Sequence, residues 1–216
     1  GKAVLAGGAL GLGTEIRSQD LGGSLGCGLA ALINALEQDA PTLTLAADRR
    51  AAKPASASEL RYGHGAAAIA TGSDGIIARC LASVTLSEDF IDHYRSNGAE
   101  FDYPAEDRWI RDEGQLQQLP EAIGQLLAKS GRDAASIDTV ILPGVPAAAA
   151  NTVLKQCKIP DDRLLDGLDA GCGYTGTAHP LLMLASALEE AGPGEVILVA
   201  NFAQGVQSLL LETTDA

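Results

Sequence analysis

Aromatic side chains are scarce in this chain: one Trp, four Tyr and three Phe among 216 residues. With 46% hydrophobic residues and so few rings, its core has to be filled by aliphatic and small side chains. Basic residues are few as well. Fifteen Lys and Arg stand against 28 Asp and Glu, a net charge of −13, and they are scattered rather than gathered in a stripe. That excludes a nucleic-acid or anionic-membrane footprint. The four cysteines, Cys27, Cys80, Cys157 and Cys172, form no C-x-x-C pair and have only three histidines as co-ligands, so neither a zinc site nor a disulfide framework is expected. Each thiol reads first as a small buried hydrophobe. Apolar runs such as residues 180–188 fall well short of the roughly 20 residues that span a bilayer, and no charged-then-apolar leader opens the chain. The expectation is a soluble cytoplasmic protein. The chain starts at Gly1 on an apolar, Gly-rich stretch, and reads as a piece whose natural amino terminus lies further upstream.

Periodicity and punctuation give alternating elements. A Gly-rich turn (21–28) leads into an apolar helix ending near Gln38, stopped by Pro41, and residues 43–47 form a short strand. Residues 65–71 and 76–86 read as a hairpin joined by Gly72-Ser73-Asp74-Gly75. Residues 87–111 differ in kind: charged, without a clear period, and holding Phe90, Tyr94, Phe101, Tyr103 and Trp109. They read as an inserted lid or partner-docking segment. Helical spacing over 113–129, a strand at 140–142, a helix at 147–157, a second Gly-rich turn (171–177), a helix at 178–191 and strands at 196–200 and 208–213 follow. This alternation predicts an α/β layered fold.

An internal repeat organises the chain. Ala35-Leu36-Glu37-Gln38 resembles Ala187-Leu188-Glu189-Glu190, and Pro41 matches Pro193, at a constant offset of 152. Both copies run Gly-rich turn, apolar helix, Pro, strand, strand. The same offset relates Cys27 to His179. A pseudo-twofold axis would bring a thiol and an imidazole, a plausible nucleophile and base, to two converging helix starts.

The repeated halves, Gly63-His64-Gly65-Ala66-Ala67-Ala68, Leu142-Pro143-Gly144 and Gly173-Tyr174-Thr175-Gly176 resemble the thiolase-like superfamily, in the branch of ketoacyl synthase III and hydroxymethylglutaryl-CoA synthase. Asp92-His93-Tyr94-Arg95, Phe101-Asp102-Tyr103 and 108–114 resemble bacterial synthase-like members often accompanied by a zinc-ribbon and OB-fold protein. The resemblance implies a five-layered α-β-α-β-α body of two pseudo-repeated halves, the first truncated: residues 1–75 the remainder of the amino-terminal half, 76–216 the carboxy-terminal half with an insertion at 87–111. It also implies a homodimer acting on a CoA or acyl-carrier thioester, with no covalently bound cofactor, and forming or cleaving carbon–carbon bonds. The opening strand–helix–strand, with the glutamate it carries in the synthase branch, is missing from the match.

The customary catalytic groups are missing too. Leu25 stands at the cysteine position, Gly144 at the histidine position and Tyr174 at the asparagine position. A leucine cannot be acylated. The candidate catalytic residues are therefore Cys27, His179 and Tyr174, each with a structural alternative: a buried thiol, a core histidine, a turn filler. Arg49, Arg50 and Lys53 are candidates for a CoA phosphate, or a solvated loop. Asp92, His93, Tyr94, Asp112 and Glu113 could form an acid/base cluster. A thioester acyltransferase or synthase-like activity leads; the alternative is a catalytically silent scaffold acting with an OB-fold subunit.

Overall fold

A computed structural model describes residues 1–216. The chain forms α1 (Lys2–Ala9), α2 (Cys27–Leu36), β1 (Thr42–Arg49), β2 (His64–Thr71), β3 (Ala78–Ser87), β4 (His93–Tyr94), β5 (Tyr103–Pro104), α3 (Asp107–Trp109), α4 (Leu116–Ser130), β6 (Thr139–Ile141), α5 (Ala147–Cys157), α6 (His179–Glu190), β7 (Val196–Phe202) and β8 (Gly205–Thr213). Four strands make the central sheet, in the order β3-β8-β7-β6. Only β6 and β7 are parallel, and a single bridge from Val140 to Leu164 extends the β6 edge. Strand β7 is buried along its whole length, as expected of a strand covered on both faces.

Two apolar clusters cover those faces. Leu119, Ile123 and Leu126 of α4 and Val153 and Leu154 of α5 pack with Leu198, Ala200 and Leu210. On the other face, Leu29, Leu32 and Ile33 of α2 and Leu181, Met183 and Leu184 of α6 pack with Ile197, Val199 and Leu209. Beyond α2 and α6 lies the β1–β2 ribbon, so the layers run α, β, α, β. Thr44 and Ala46 face inward, while Leu43 and Leu45 remain exposed on the outer face, opposite Ala70 and Ala68.

Helix–strand–antiparallel strand occurs twice, as α2-β1-β2 and α6-β7-β8, and α2 packs directly against α6. The hairpin expected between 65–71 and 76–86 is not formed. Strand β2 pairs with β1 and β3 with β8, so Gly72–Gly75 carries the chain from one sheet to the other. Thr214 secures the far end by donating its amide to the Ile77 carbonyl and its hydroxyl to that of Ile76. A linker that passes between layers has the same Gly and Asp content as one that reverses direction, and only the partner strands tell them apart.

The helix expected from 113 becomes regular only at Leu116, after a π-turn over Ile110–Gln115. Gly114 in that turn lies against the rings of Phe90 and Phe202, which fill the space a side chain would need. No helix is long and apolar enough to cross a membrane.

Candidate active site at the junction of the two halves

The second Gly-rich turn threads between residues 61–63 and the ends of α2 and β1. Tyr174 donates its amide to the Arg61 carbonyl at 2.6 Å and accepts from the Gly63 amide at 3.1 Å, tying the halves by a short parallel bridge. Gly63 has to be glycine here: a Cβ would fall on the Cys172 carbonyl oxygen. Asp48, at the end of β1, accepts from the Thr177 amide at 3.2 Å. Gly28 in the first turn of α2 packs against the Thr177 carbonyl.

The Tyr174 ring lies on Gly144. A Cβ at that position would sit 2.7 Å from the ring. The phenol fills the space left by a residue with no side chain, and its hydroxyl makes no hydrogen bond within the protein. Burial pushes the Tyr174 pKa up to about 12 against a partial opposing pull from Arg50, so the phenol stays protonated at neutral pH and can act as a donor.

His179 is fully buried at the start of α6, and both its nitrogens are engaged. Nε2 lies 2.9 Å from the Gly167 carbonyl, which fixes it as the donor, and Nδ1 faces the Thr175 amide (3.4 Å) and hydroxyl (3.2 Å). That pattern suits the neutral ring, and burial lowers its pKa below the ordinary histidine value of about 6.5. The Cys27 thiol goes to the Thr177 hydroxyl at 3.8 Å. The expected Cys27–His179 pair is therefore not formed. The repeat brings the two helices together, but local threonines take the bonds of both side chains.

Because the folded state binds the His179 proton less tightly than the unfolded chain, the stability it contributes is present above about pH 6.5 and lost as pH falls through its lower folded value. Chemical denaturation at pH 7 and pH 5 should give a larger loss for the parent than for His179→Leu. Equal losses would show that the ring is not held neutral.

The basic trio is split. Arg49 and Lys53 are exposed and unpaired, whereas Arg50 is 7% exposed and turned inward. Its Nη2 meets Asp102 at 2.5 Å, and its guanidinium carbon lies 4.0 Å from the ring centre of Tyr62 and 5.4 Å from that of Tyr174. The residues that could have formed an acid/base cluster in the insertion are likewise divided: Asp92 pairs with His93 at 2.8 Å, and Asp112 pairs with Arg111 at 2.7 Å. Of the four cysteines, Cys80 and Cys172 are exposed, contrary to the expectation of four buried thiols, and Cys27 and Cys157 are half-buried. Sequence reasoning missed Tyr62, Asp48 and the pairing role of Asp102. The one signal for them was Asp102 between two aromatic residues, inside an irregular segment.

These features define an α/β protein with a thiolase-like fold. Within that class, its likeness is to the ketoacyl synthase III and hydroxymethylglutaryl-CoA synthase branch. Residues 127–212 match the family described as 3-oxoacyl-[acyl-carrier-protein] synthase III C terminal. A hydroxymethylglutaryl-CoA synthase of Caldivirga maquilingensis is 26% identical over an alignment covering 96% of this chain and 61% of the relative, so the chain spans less than two thirds of that protein. Among solved structures, 3-oxoacyl-[acyl-carrier-protein] synthase III from Aquifex aeolicus superposes with a TM-score of 0.81 at 16% identity, covering 97% of this chain and 71% of the other. MvaS in complex with 3-hydroxy-3-methylglutaryl coenzyme A superposes with a TM-score of 0.82 at 17% identity, covering 98% and 62%.

Proposed function

We propose that this protein acts on a CoA or acyl-carrier thioester, making or breaking a bond at the acyl carbonyl without the customary acylated cysteine. The observation that carries this reading is the Tyr174 phenol: protonated, set against Gly144 at the junction of the halves, and with its hydroxyl free of any protein acceptor. A donor of that kind can hold the oxyanion or enolate that develops when a thioester carbonyl reacts. His179 then acts as a positioning residue that fixes the turn carrying Tyr174 by bonding Thr175 and Gly167. The working form is a homodimer, and a phosphate contact is left to Arg49 and Lys53, since Arg50 is engaged by Asp102.

A second reading is favoured by the exposed pair Tyr94 and Tyr103, 56% and 65% exposed with ring centres 5.4 Å apart. In it the chain is a silent scaffold, and this aromatic patch receives an OB-fold subunit.

Intact-protein mass spectrometry with a panel of acyl-CoAs separates the chemistries. The tyrosine route expects turnover with no acyl mass retained and with Cys27→Ala equal to the parent. A retained acyl mass that disappears in Cys27→Ala would replace it with a thiol route. No turnover and no adduct, alone or with an OB-fold subunit present, would leave the scaffold.

A further inference from the structure

Residues 91–104 form a strap that is tied to the body of the protein through Asp102 and Arg50. The strap folds on itself through the β4–β5 ribbon and through bonds from Ala105 to Asp92 and from Ala99 to Ser96. Arg95 and His93 likewise find their ion-pair partners within it. Apart from the Ala105–Asp92 bond at its base, its one hydrogen bond to the rest of the protein is that between Asp102 and Arg50. Phe90, stacked on Trp109 at 4.1 Å and edge-on to Phe202, anchors the base of the strap.

Arg50, by contrast, belongs to the body. It lies at the end of β1 with a side chain 5% exposed, beside the Tyr62 and Tyr174 rings. Only Nη2 of its three side-chain nitrogens makes a hydrogen bond, and that bond goes to a single carboxylate oxygen. A guanidinium can grip a carboxylate with two parallel bonds, so the present partner uses half of the available fork.

We propose that Arg50 is a carboxylate-binding subsite of the Tyr174 site, filled in the resting protein by Asp102 and vacated when the strap lifts for a ligand's own carboxylate. Resting on the thioester reading, this places the free carboxylate of an acyl group at Arg50 rather than at the exposed Arg49 and Lys53. A planar monoanion fits better than a phosphate for two reasons. Asp102 itself shows what the space accepts. Asp48, which together with the Arg50 side chain crowds Gly176, and Asp92, whose charge acts on Tyr174, would both oppose a dianion.

The test uses acetate as the probe, with phosphate and chloride at matched ionic strength, and hydrogen exchange read by mass spectrometry. In the parent, acetate should speed exchange in residues 91–104 saturably, at least several-fold, while residues 196–213 stay unchanged and neither phosphate nor chloride has the effect. In Asp102→Asn the strap should exchange at least tenfold faster than in the parent without any probe, and acetate should bind at least tenfold more tightly than to the parent. Arg50→Gln combined with Asp102→Asn should not bind acetate. If acetate leaves the parent strap unmoved, or if chloride or phosphate moves it equally, the subsite is overturned, and this arm needs no variant to fold. Acetate binding is read without turnover. A protein that binds acetate at Arg50 but processes no thioester therefore keeps the subsite and loses the functional reading, and the reverse outcome does the opposite.

Discussion

Gly63→Ala should destabilise the protein by at least about 3 kcal/mol, the upper end of what overpacking costs. The added methyl would land on the Cys172 carbonyl oxygen, 2.9 Å from the carbonyl carbon and 3.3 Å from the Gly173 Cα. All three are backbone atoms, and no rotamer change can clear them. Nor can the strand and the turn move apart freely, because the Gly63–Tyr174 and Tyr174–Arg61 hydrogen bonds clamp them at this point. Gly124→Ala is the matched control. Gly124 sits on an exposed face of α4 with nothing near its Cβ, so alanine there should stabilise by about 1 kcal/mol through helix propensity alone. Denaturant unfolding of both variants checks the contrast. A Gly63→Ala variant within about 0.5 kcal/mol of the parent would mean that the halves do not meet as described.

Tyr174→Phe should lower turnover of a processed acyl-CoA by about 10²–10³-fold, the usual cost of removing one oxyanion donor. The same change should scarcely alter stability, because the hydroxyl has no protein partner to lose and the ring stays on Gly144. This split between rate and stability separates a chemical role from a filler role. If Tyr174 only occupies the space above Gly144, phenylalanine will do so equally well and turnover will not change.

Much of the fold was legible because it rests on local periodicity. The helix over 147–157 falls where its spacing puts it, and α2 and α6 each lie within one or two residues of expectation. Repeat matching also anticipated that α2 and α6 would meet. What sequence could not supply was the pairing of distant groups. Strand β2 carries small alternating residues that fit either neighbour, so its pairing with β1 rather than β3 was hidden. Gly63 belonged to the motif that signalled the superfamily, yet its physical reason, the Cys172 carbonyl, lies on the far side of the chain.

The site shows the same division. Tyr174 was found through the resemblance of its turn to the superfamily's, and its environment followed from the fold. Arg49, Arg50 and Lys53 are alike as letters; burial singles out Arg50, and its partner comes from a segment with no period to read. The equivalence of Cys27 and His179 was a true statement about backbone position. It said nothing about rotamers, and Thr175, Thr177 and Gly167 decide those.

The central claim is that a thioester binds where Tyr174 meets Gly144. Hydrogen exchange with and without a saturating acyl-CoA tests it most directly. The account expects slowed exchange at residues 61–63 and 172–178, the two segments clamped around the phenol, and a smaller effect of the same acyl-CoA on Tyr174→Trp, whose larger ring would crowd the space above Gly144. Protection confined to other surfaces, or none with any acyl-CoA whether or not an OB-fold subunit is present, would contradict it.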